Sequence, residues 1–562
     1  MPSITKILDS VTAIFFYFFL GLFVTDYSFI LLPLHQMGLP FANITNIGGP
    51  TIGLSLLLLL RYVVGKDSFS KSPVIKNLNG LAKLGDKKLL FMAGSAIFIV
   101  FTVLSVARHL SLSSGASDLG IFDQAIWNTT RGNLLFSSLK GNMNLLGDHF
   151  EPILLLLAPL YMLWQDVTIL FLVQSILLAS AVIPLYLIAK DRLSSRFLIF
   201  SFIFAYVLSR PLRGVGLSDF HPECFMLPLF FWAYFFINRK KNIFLFLTVL
   251  LLLLCKEDTA FLISGLGIFM LFDKKRLKGG AALIIIGISA WLLETKMIIP
   301  YFNPSGSYPY MDRLPFGLTY MDNIKTLFND PFYVISSFLT KEKIAYCVKI
   351  FSPLGFLPLL SPGHYILVAI PLFKNLLPIN PNFSGFYDIT SHYTASLIPF
   401  VFISAIYGAG WLISKIRNKR ATLFLGGLVI LSSLLSYSKT DGYKFIRFLD
   451  GIKNNRSMEV LSYLKMVPKD ASVAANFNLV PHLSHRKYIL EWNPQSKTGD
   501  VTEYIVIDMN LLEYLSKDDL AAIEPYLKNI AAKGYKNIFS SRDMPFFIFH
   551  KPDIDKTLVE KL

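Results

Sequence analysis

Long apolar runs separated by short basic clusters fill most of the chain. Many of these runs approach the roughly 20 residues that a helix needs to cross a bilayer. The pattern predicts thirteen membrane helices, at about residues 11–32, 48–64, 90–110, 167–189, 197–213, 223–238, 242–255, 259–272, 280–298, 346–360, 365–378, 393–414 and 421–437. The run from Pro152 to Trp164 is too short for a span, and we interpret it as a juxtamembrane or re-entrant segment.

The basic clusters predict which loops share a side of the membrane. Lysine and arginine concentrate in cytoplasmic loops, and such clusters occupy residues 66–88, 190–196, 239–241, 274–278 and 415–420. Counting crossings between them places the other loops together on the extracytoplasmic side, at residues 111–150, 217–223, 256–258, 299–345 and 379–392.

The tail differs in kind from the rest of the chain. It is charged, "SMEVLSYLKMV" has a helical period, and "ASVAA" and "EYIVID" predict short strands. A helix near residues 517–533 and a hairpin in "NIFSSRDMPFFIFHK" complete a small α/β unit. We therefore expect three parts: an N-terminal two-helix membrane extension (1–89), an all-α transmembrane domain (90–439) and a soluble extracytoplasmic α/β domain (440–562).

Composition supports a multi-pass protein of the plasma membrane. Of the 562 residues 54% are hydrophobic and 16% are charged, against about 25% charged in soluble domains. The net charge of +16 lies in the clusters that set topology, so nucleic acid is not expected as a partner. The first apolar run lacks a small-residue cleavage site and is expected to remain as a helix. The three cysteines are too far apart for a zinc knuckle or a disulfide framework.

The stretch "SDLGIFDQAIWNTTRGN" carries two carboxylates at the membrane edge. Ser117 or Asp118 can cap a short helix that Gly132 ends. The helix is expected to lie flat on the membrane with an apolar stripe of Leu119, Phe122 and Ile126. From the residues alone, Asp118 is either a helix cap or a functional carboxylate. Asp123 is either a solvated residue or a substrate contact.

Two further motifs place acids and histidines directly before apolar runs. "GDHFEP" contains Asp148, His149 and Glu151, and "SDFHPE" contains Asp219, His221 and Glu223. Carboxylate and imidazole groups at this density suit a divalent metal or sugar hydroxyls. The alternatives are a polar collar at the start of a helix and a loop with scattered polar residues.

The stretch "LLLLCKEDTAFL" interrupts an apolar run with Lys256, Glu257 and Asp258. Each charge buried in a membrane costs about 2.5–3.5 kcal/mol on insertion scales, so charges there usually mark function. The alternative is a solvated turn between two short helices, or an internal ion pair. His392 is a weaker candidate, and Arg213 is either a phosphate contact or an interfacial anchor.

The loop "NLVPHLSHR" in the tail adds His482, His485 and Arg486. We expect it to look down on the acidic motifs, with Arg486 suited to a phosphate; the alternative is an ordinary surface loop. The chain contains no P-loop, G-x-G-x-x-G, H-E-x-x-H or G-x-S-x-G motif. A nucleotide-driven pump and a zinc protease are therefore not expected.

Taken together, these strings resemble a family of prokaryotic polytopic membrane proteins, the domain of unknown function 2079. The resemblance rests on residues 117–164, "LSDFHPE", "KEDTAF", "NLVPHLSHRKY" and "YIVIDM". That family is similar to the C-type glycosyltransferase superfold, which uses polyprenyl-phosphate-linked sugars. In that superfold an acidic pair opens a juxtamembrane helix and a glycine follows; Asp118 and Gly132 match these, whereas Leu119 stands where a second acid often does.

The resemblance implies an enzyme that moves a sugar from a polyprenyl-phosphate donor to an acceptor glycan, lipid or protein on the extracytoplasmic face. Asp118 would be the general base, and cations or a divalent metal would stabilise the departing phosphate. The substrate contacts would be Asp123, Arg213, Lys256, Glu257, Asp258, His392, His482 and His485; Asp148, His149, Glu151, Asp219, His221 and Glu223 would bind metal or sugar. Two alternatives are a transporter or lipid flippase that uses Glu257 and Asp258, and a non-catalytic membrane scaffold.

Overall fold

The structure is a computed structural model. It describes residues 84–310, 316, 320–416, 420–436, 455–495, 498–513, 515–541, 543–554 and 559. The helices predicted near residues 11–32 and 48–64 lie outside the described residues.

The first part of the chain builds a long helix followed by a short irregular segment. Helix α1 (Asp86–Leu110) leads into a π-helical turn (Ala116–Gly120) and helix α2 (Ile121–Thr129). An antiparallel two-stranded ribbon follows, formed by β1 (Phe136–Ser137) and β2 (Met143–Asn144). Leu119, Phe122 and Ile126 are buried as predicted, but Asp123, Gln124 and Asn128 are buried as well, so burial of α2 is not confined to one apolar stripe.

Helices make up the rest of the membrane part. In chain order they are α3 (Ala158–Leu163), α4 (Thr168–Ser180), α5 (Val182–Arg192), α6 (Arg196–Val207), α7 (Arg210–Leu217), α8 (Glu223–Arg239), α9 (Asn242–Leu253), α10 (Thr259–Leu271), α11 (Leu277–Leu293), α12 (Ile299–Phe302), α13 (Tyr320–Asn329), α14 (Pro331–Phe338), α15 (Lys341–Phe351), α16 (Tyr365–Leu376), α17 (Ile398–Ile416) and α18 (Arg420–Leu435). Their buried side chains form one large hydrophobic core.

The described residues allow a partial check of the predicted membrane-crossing helices. Within the described residues, four stretches are long and apolar enough to cross a bilayer: Asp86–Leu110, Thr168–Arg192, Lys274–Phe302 and Ile398–Ile416. A fifth arises if α6 and α7, bent by 41°, form one span. Other predicted spans, such as α9 and α10, are helices of 12 and 13 residues. The count of thirteen is not confirmed.

The single helix predicted at 346–360 is wrong, because α15 ends before two short 3-10 turns. Pro353 and Pro358 lack the N–H groups that a continuing helix needs. Hydroxyl groups compensate the interrupted backbone: Ser433 Oγ donates to the Pro353 carbonyl (3.0 Å) and Ser404 Oγ to the Pro358 carbonyl (2.9 Å). Irregular backbone at membrane depth needs such internal partners.

The C-terminal sheet region (residues 455–554) contains both helices and strands, as the sequence predicts. Its elements are α19 (Asn455–Leu464), β3 (Val473–Ala475), β4 (Ile489–Glu491), β5 (Tyr504–Asp508), α20 (Lys517–Asn529), β6 (Lys536–Ser540) and β7 (Phe546–His550). The strands form one sheet in the order β4-β3-β5-β7-β6. Strand β3 pairs in parallel with β4 and β5, and β7 pairs antiparallel with β5 and β6. The predicted hairpin is thus confirmed, and β4 is an element that the sequence pattern missed.

Candidate functional site

Asp118 lies in the π-helical turn that precedes α2. No side chain caps that turn, whose N-cap residue is Gly115, so the helix-cap interpretation of Asp118 is wrong. The Gly115 N–H instead donates to Asp219 Oδ2 (3.0 Å), which Arg108 also contacts at 2.9 Å. These bonds connect the turn to the loop before α8. The Asp118 side chain is 46% exposed.

His221 connects Asp118 to the interior. Its Nε2 lies 3.2 Å from Asp118 Oδ1 and its Nδ1 lies 2.7 Å from the Asp219 carbonyl, so both ring nitrogens face acceptors. Burial opposes the charged imidazolium, but the neighbouring Asp118 carboxylate outweighs burial and raises the pKa of His221 to about 9. Burial likewise opposes ionisation of Asp118, and the charge on His221 overcomes it, so the Asp118 pKa is lowered.

His392 continues the row of groups on the far side of His221. The two imidazole rings are stacked with centroids 3.5 Å apart. Burial, together with the charge on His221, holds the pKa of His392 well below its usual range. Its Nε2 lies 4.0 Å from Glu223 Oε1. The charged form is therefore favoured at His221 and disfavoured at His392.

Lys256 occupies the buried end of the row. Its Nζ lies 2.7 Å from Glu223 Oε1 and 3.7 Å from Glu151 Oε1. Burial disfavours the ammonium ion, yet the surrounding carboxylates raise the Lys256 pKa well above its usual range. Burial raises the pKa of Glu151 in turn, more than Lys256 lowers it. Lys256 is therefore a structural cation beneath the site, not an exposed phosphate contact.

A second group of side chains surrounds His149. Its Nδ1 lies 2.7 Å from Glu257 Oε1, and its ring stacks on Tyr310 at 4.3 Å. Burial opposes ionisation of Glu257, but the charge and hydrogen bond of His149 lower the Glu257 pKa to about 2. Tyr310 also donates a hydrogen bond to Asp148, whose other oxygen lies 2.7 Å from Lys140 Nζ. The "GDHFEP" and "KED" motifs thus meet, as their predicted shared face requires.

The metal-binding hypothesis for the two acidic motifs is not confirmed. Among the described residues, no three His, Cys, Asp or Glu side chains are grouped as metal ligands. The reason is that each predicted ligand has another partner. The pairs are Asp148 with Lys140, His149 with Glu257, Glu151 and Glu223 with Lys256, Asp219 with Arg108, and His221 with Asp118.

Asp123 is fully buried, so its interpretation as a solvated residue is wrong. The Tyr161 hydroxyl donates to its Oδ1 (2.5 Å) and the Ser484 hydroxyl donates to its Oδ2. His485 Nε2 lies 3.1 Å from Oδ1, and the Asp123 charge raises the His485 pKa although burial opposes it. Asp123 thereby binds the loop that we expected to look down on the acidic motifs.

Neighbouring contacts extend this interface with the C-terminal sheet region. Gln124 Nε2 donates to the Arg486 and Lys487 carbonyls, at 3.1 and 2.9 Å. His482 stacks on His109 with centroids 3.9 Å apart. The expected phosphate role of Arg486 is wrong, because its buried guanidinium donates to backbone carbonyls of its own region. His482 and His485 are likewise interface residues.

The remaining predicted residues lie around this network. Asp258 pairs with Lys374 (2.9 Å). Arg213 lies on α7, the helix that packs against the His392 turn. Sequence analysis missed Arg108, Lys374 and Glu294. Lys374 and Glu294 each interrupt an apolar run, and that signal could have revealed them.

The comparison with protein families shows which family the chain belongs to. A family described as "Predicted membrane protein (DUF2079)" matches residues 108–537. The chain belongs to the DUF2079 family. The family predicted from the motifs is confirmed.

This DUF2079 protein was also compared with curated proteins and with solved structures. No curated protein matches it. Among solved structures it is similar to "ArnT from Cupriavidus metallidurans bound to Undecaprenyl phosphate", with a TM-score of 0.45 and 11% sequence identity. That alignment covers 83% of this chain and 98% of the other. A likeness at this level carries no conclusion about the activity of this DUF2079 chain.

Proposed function

We propose that the protein transfers a sugar from a polyprenyl-phosphate donor to an acceptor hydroxyl on the extracytoplasmic face of the plasma membrane. The acceptor oxygen attacks the anomeric carbon while the carbon–oxygen bond to the phosphate breaks. The acceptor proton passes to Asp118 and polyprenyl phosphate leaves.

The exposure of Asp118 is the observation that carries this proposal. Glu151, Glu223 and Glu257 are buried against Lys256 or His149, whereas Asp118 presents 46% of its side chain to solvent. Its pairing with His221 keeps it ionised, so it can accept a hydrogen bond from an incoming hydroxyl. A general base in this position contributes about 10²- to 10⁴-fold to rate.

The buried row behind Asp118 supplies the electrostatic part of the proposal. His221 and Lys256 are cations held in place by carboxylates, and no reorganisation is needed when negative charge develops on a departing phosphate. His221 is the nearer of the two to Asp118. We therefore assign the stabilisation of the phosphate to His221, supported by Lys256 through Glu223.

The test compares Asp118→Asn with Asp388→Asn in membranes supplied with lipid-linked sugars extracted from the host. Asp388 is an exposed loop residue whose Oδ1 accepts from the backbone N–H and hydroxyl of Thr390, both at 2.9 Å, and asparagine can do the same. We expect donor consumption to fall about 10²- to 10⁴-fold for Asp118→Asn and to stay unchanged for Asp388→Asn. Full activity of a folded Asp118→Asn protein would refute the proposed base.

One observation favours transport as a second candidate. Glu294 is a buried carboxylate within the candidate span Lys274–Phe302, in a π-helical turn, and its Oε2 has no hydrogen-bond partner among the described residues. Intramembrane carboxylates and π-turns both occur often at functional sites. A transporter or flippase predicts that Glu294→Gln abolishes flux while Asp118→Asn does not. A scaffold predicts that neither change matters.

A further inference from the structure

A lateral cavity of about 450 Å³ lies between the start of α7, the break after α15, and α18, apart from Asp118 and the buried row of His221, His392, Glu223 and Lys256. None of these five residues is among the described residues that line it. The described residues that line the cavity are Arg210, Lys349, Ser352, Pro353, Gly355, Phe356, Ile389, Leu428, Ser432, Leu435 and Ser436.

The lining combines cations with an apolar wall. Arg210 and Lys349 bring two positive charges, and none of the described lining residues is acidic. Serine hydroxyls accompany them as further hydrogen-bond donors. The lining also contains Phe356 and Leu435, which are 43% and 36% exposed. An anionic head with an apolar chain matches both parts of this surface.

The backbone of the lining is held in an unusual conformation. Phe356 adopts φ of 57°, a left-handed conformation that costs a non-glycine residue about 1–3 kcal/mol, and the preceding Gly355 has φ of 59°. Such strain persists where surrounding structure supports it, and it clusters at ligand sites. Here the conformation turns the chain between two 3-10 turns and places Phe356 in the cavity wall.

We propose that the lateral cavity binds a phosphate-headed membrane lipid. The phosphate lies against Arg210 and Lys349, and the hydrocarbon chain lies along Phe356, Leu428 and Leu435. This site does not depend on the proposed sugar transfer, since binding requires neither Asp118 nor an acceptor.

The test measures lipid retained by the detergent-purified full chain, with native mass spectrometry as the readout. The probes are phosphatidic acid, phosphatidylcholine of the same chain length, and inorganic phosphate. We expect phosphatidic acid to be retained over phosphatidylcholine. Arg210→Gln with Lys349→Gln is expected to weaken retention roughly 10- to 100-fold, since hydrogen bonds to charged groups are lost. Lys341→Gln, an exposed change on the same helix and outside the cavity lining, should leave retention unchanged.

A second variant guards against loss of folding in the charge variants. Ser432→Phe fills the cavity from α18 without altering charge, and we expect it to reduce phosphatidic acid retention as well. Equal retention of both lipids, or no effect of either set of variants, would overturn the proposal. Displacement of phosphatidic acid by inorganic phosphate alone would also overturn it, because the site would then recognise an anion without its lipid chain.

Discussion

Asp123→Ala is expected to loosen the C-terminal sheet region from the membrane part. The change removes the acceptor for three donors, on Tyr161, Ser484 and His485, in a fully buried setting. Breaking a buried charge pair by removing one partner costs about 3–5 kcal/mol. Because each 1.4 kcal/mol is a factor of ten, local opening should become about 10²- to 4 × 10³-fold more frequent.

Hydrogen–deuterium exchange of the peptide spanning residues 476–487 measures this opening directly. Asp500→Ala is the matched control: Asp500 also accepts from a tyrosine and a lysine, Tyr526 (3.1 Å) and Lys533 (3.0 Å). Its partners all lie within the C-terminal sheet region and it is partly exposed, so the change should cost less than about 1 kcal/mol. If residues 476–487 exchange no faster in Asp123→Ala than in Asp500→Ala, the carboxylate does not hold the interface.

Two further predictions concern the buried row. The folded-state pKa of His221 is about 9, above its ordinary value of about 6.5. Its contribution to stability, at most about 3 kcal/mol, is therefore complete below pH 6.5 and is lost as pH rises through 9. Thermal unfolding measured against pH should show this loss of stability, and the pH dependence should disappear in His221→Gln. Lys256→Met leaves two buried carboxylates without their cation and should lower stability by about 3–5 kcal/mol in the same assay. Adding Glu223→Gln should recover part of this loss, and no recovery would contradict the pairing.

Local features of the fold were predictable because they depend on neighbouring residues. Apolar runs gave the positions of most helices, and alternation gave β5 and the hairpin of β6 and β7. The break after α15 was missed because the run is apolar throughout, although Pro353 and Pro358 signalled it. The extent of an apolar run also does not fix the length of the helix, since α9 and α10 have 12 and 13 residues.

The residues of the candidate site could be predicted from the sequence, but the contacts between their side chains could not. Acids and histidines stood out against an apolar background, and the structure brings four of the predicted motifs together. The pairing of each acid with its partner depends on contacts between residues more than a hundred positions apart in the chain, such as His149 and Glu257. Asp123 shows the same limit, since its partners Ser484 and His485 come from a distant part of the chain. Sidedness of the membrane stays a prediction.

The contact between Asp123 and Ser484 has a consequence for biogenesis, because the two residues are 361 positions apart. At about 5–20 residues per second, a ribosome adds the second roughly 20–70 s after the first. During that interval Asp123 lacks its partners Ser484 and His485. Synthesis of residues 476–487 is therefore the step that allows the burial of Asp123 to be completed.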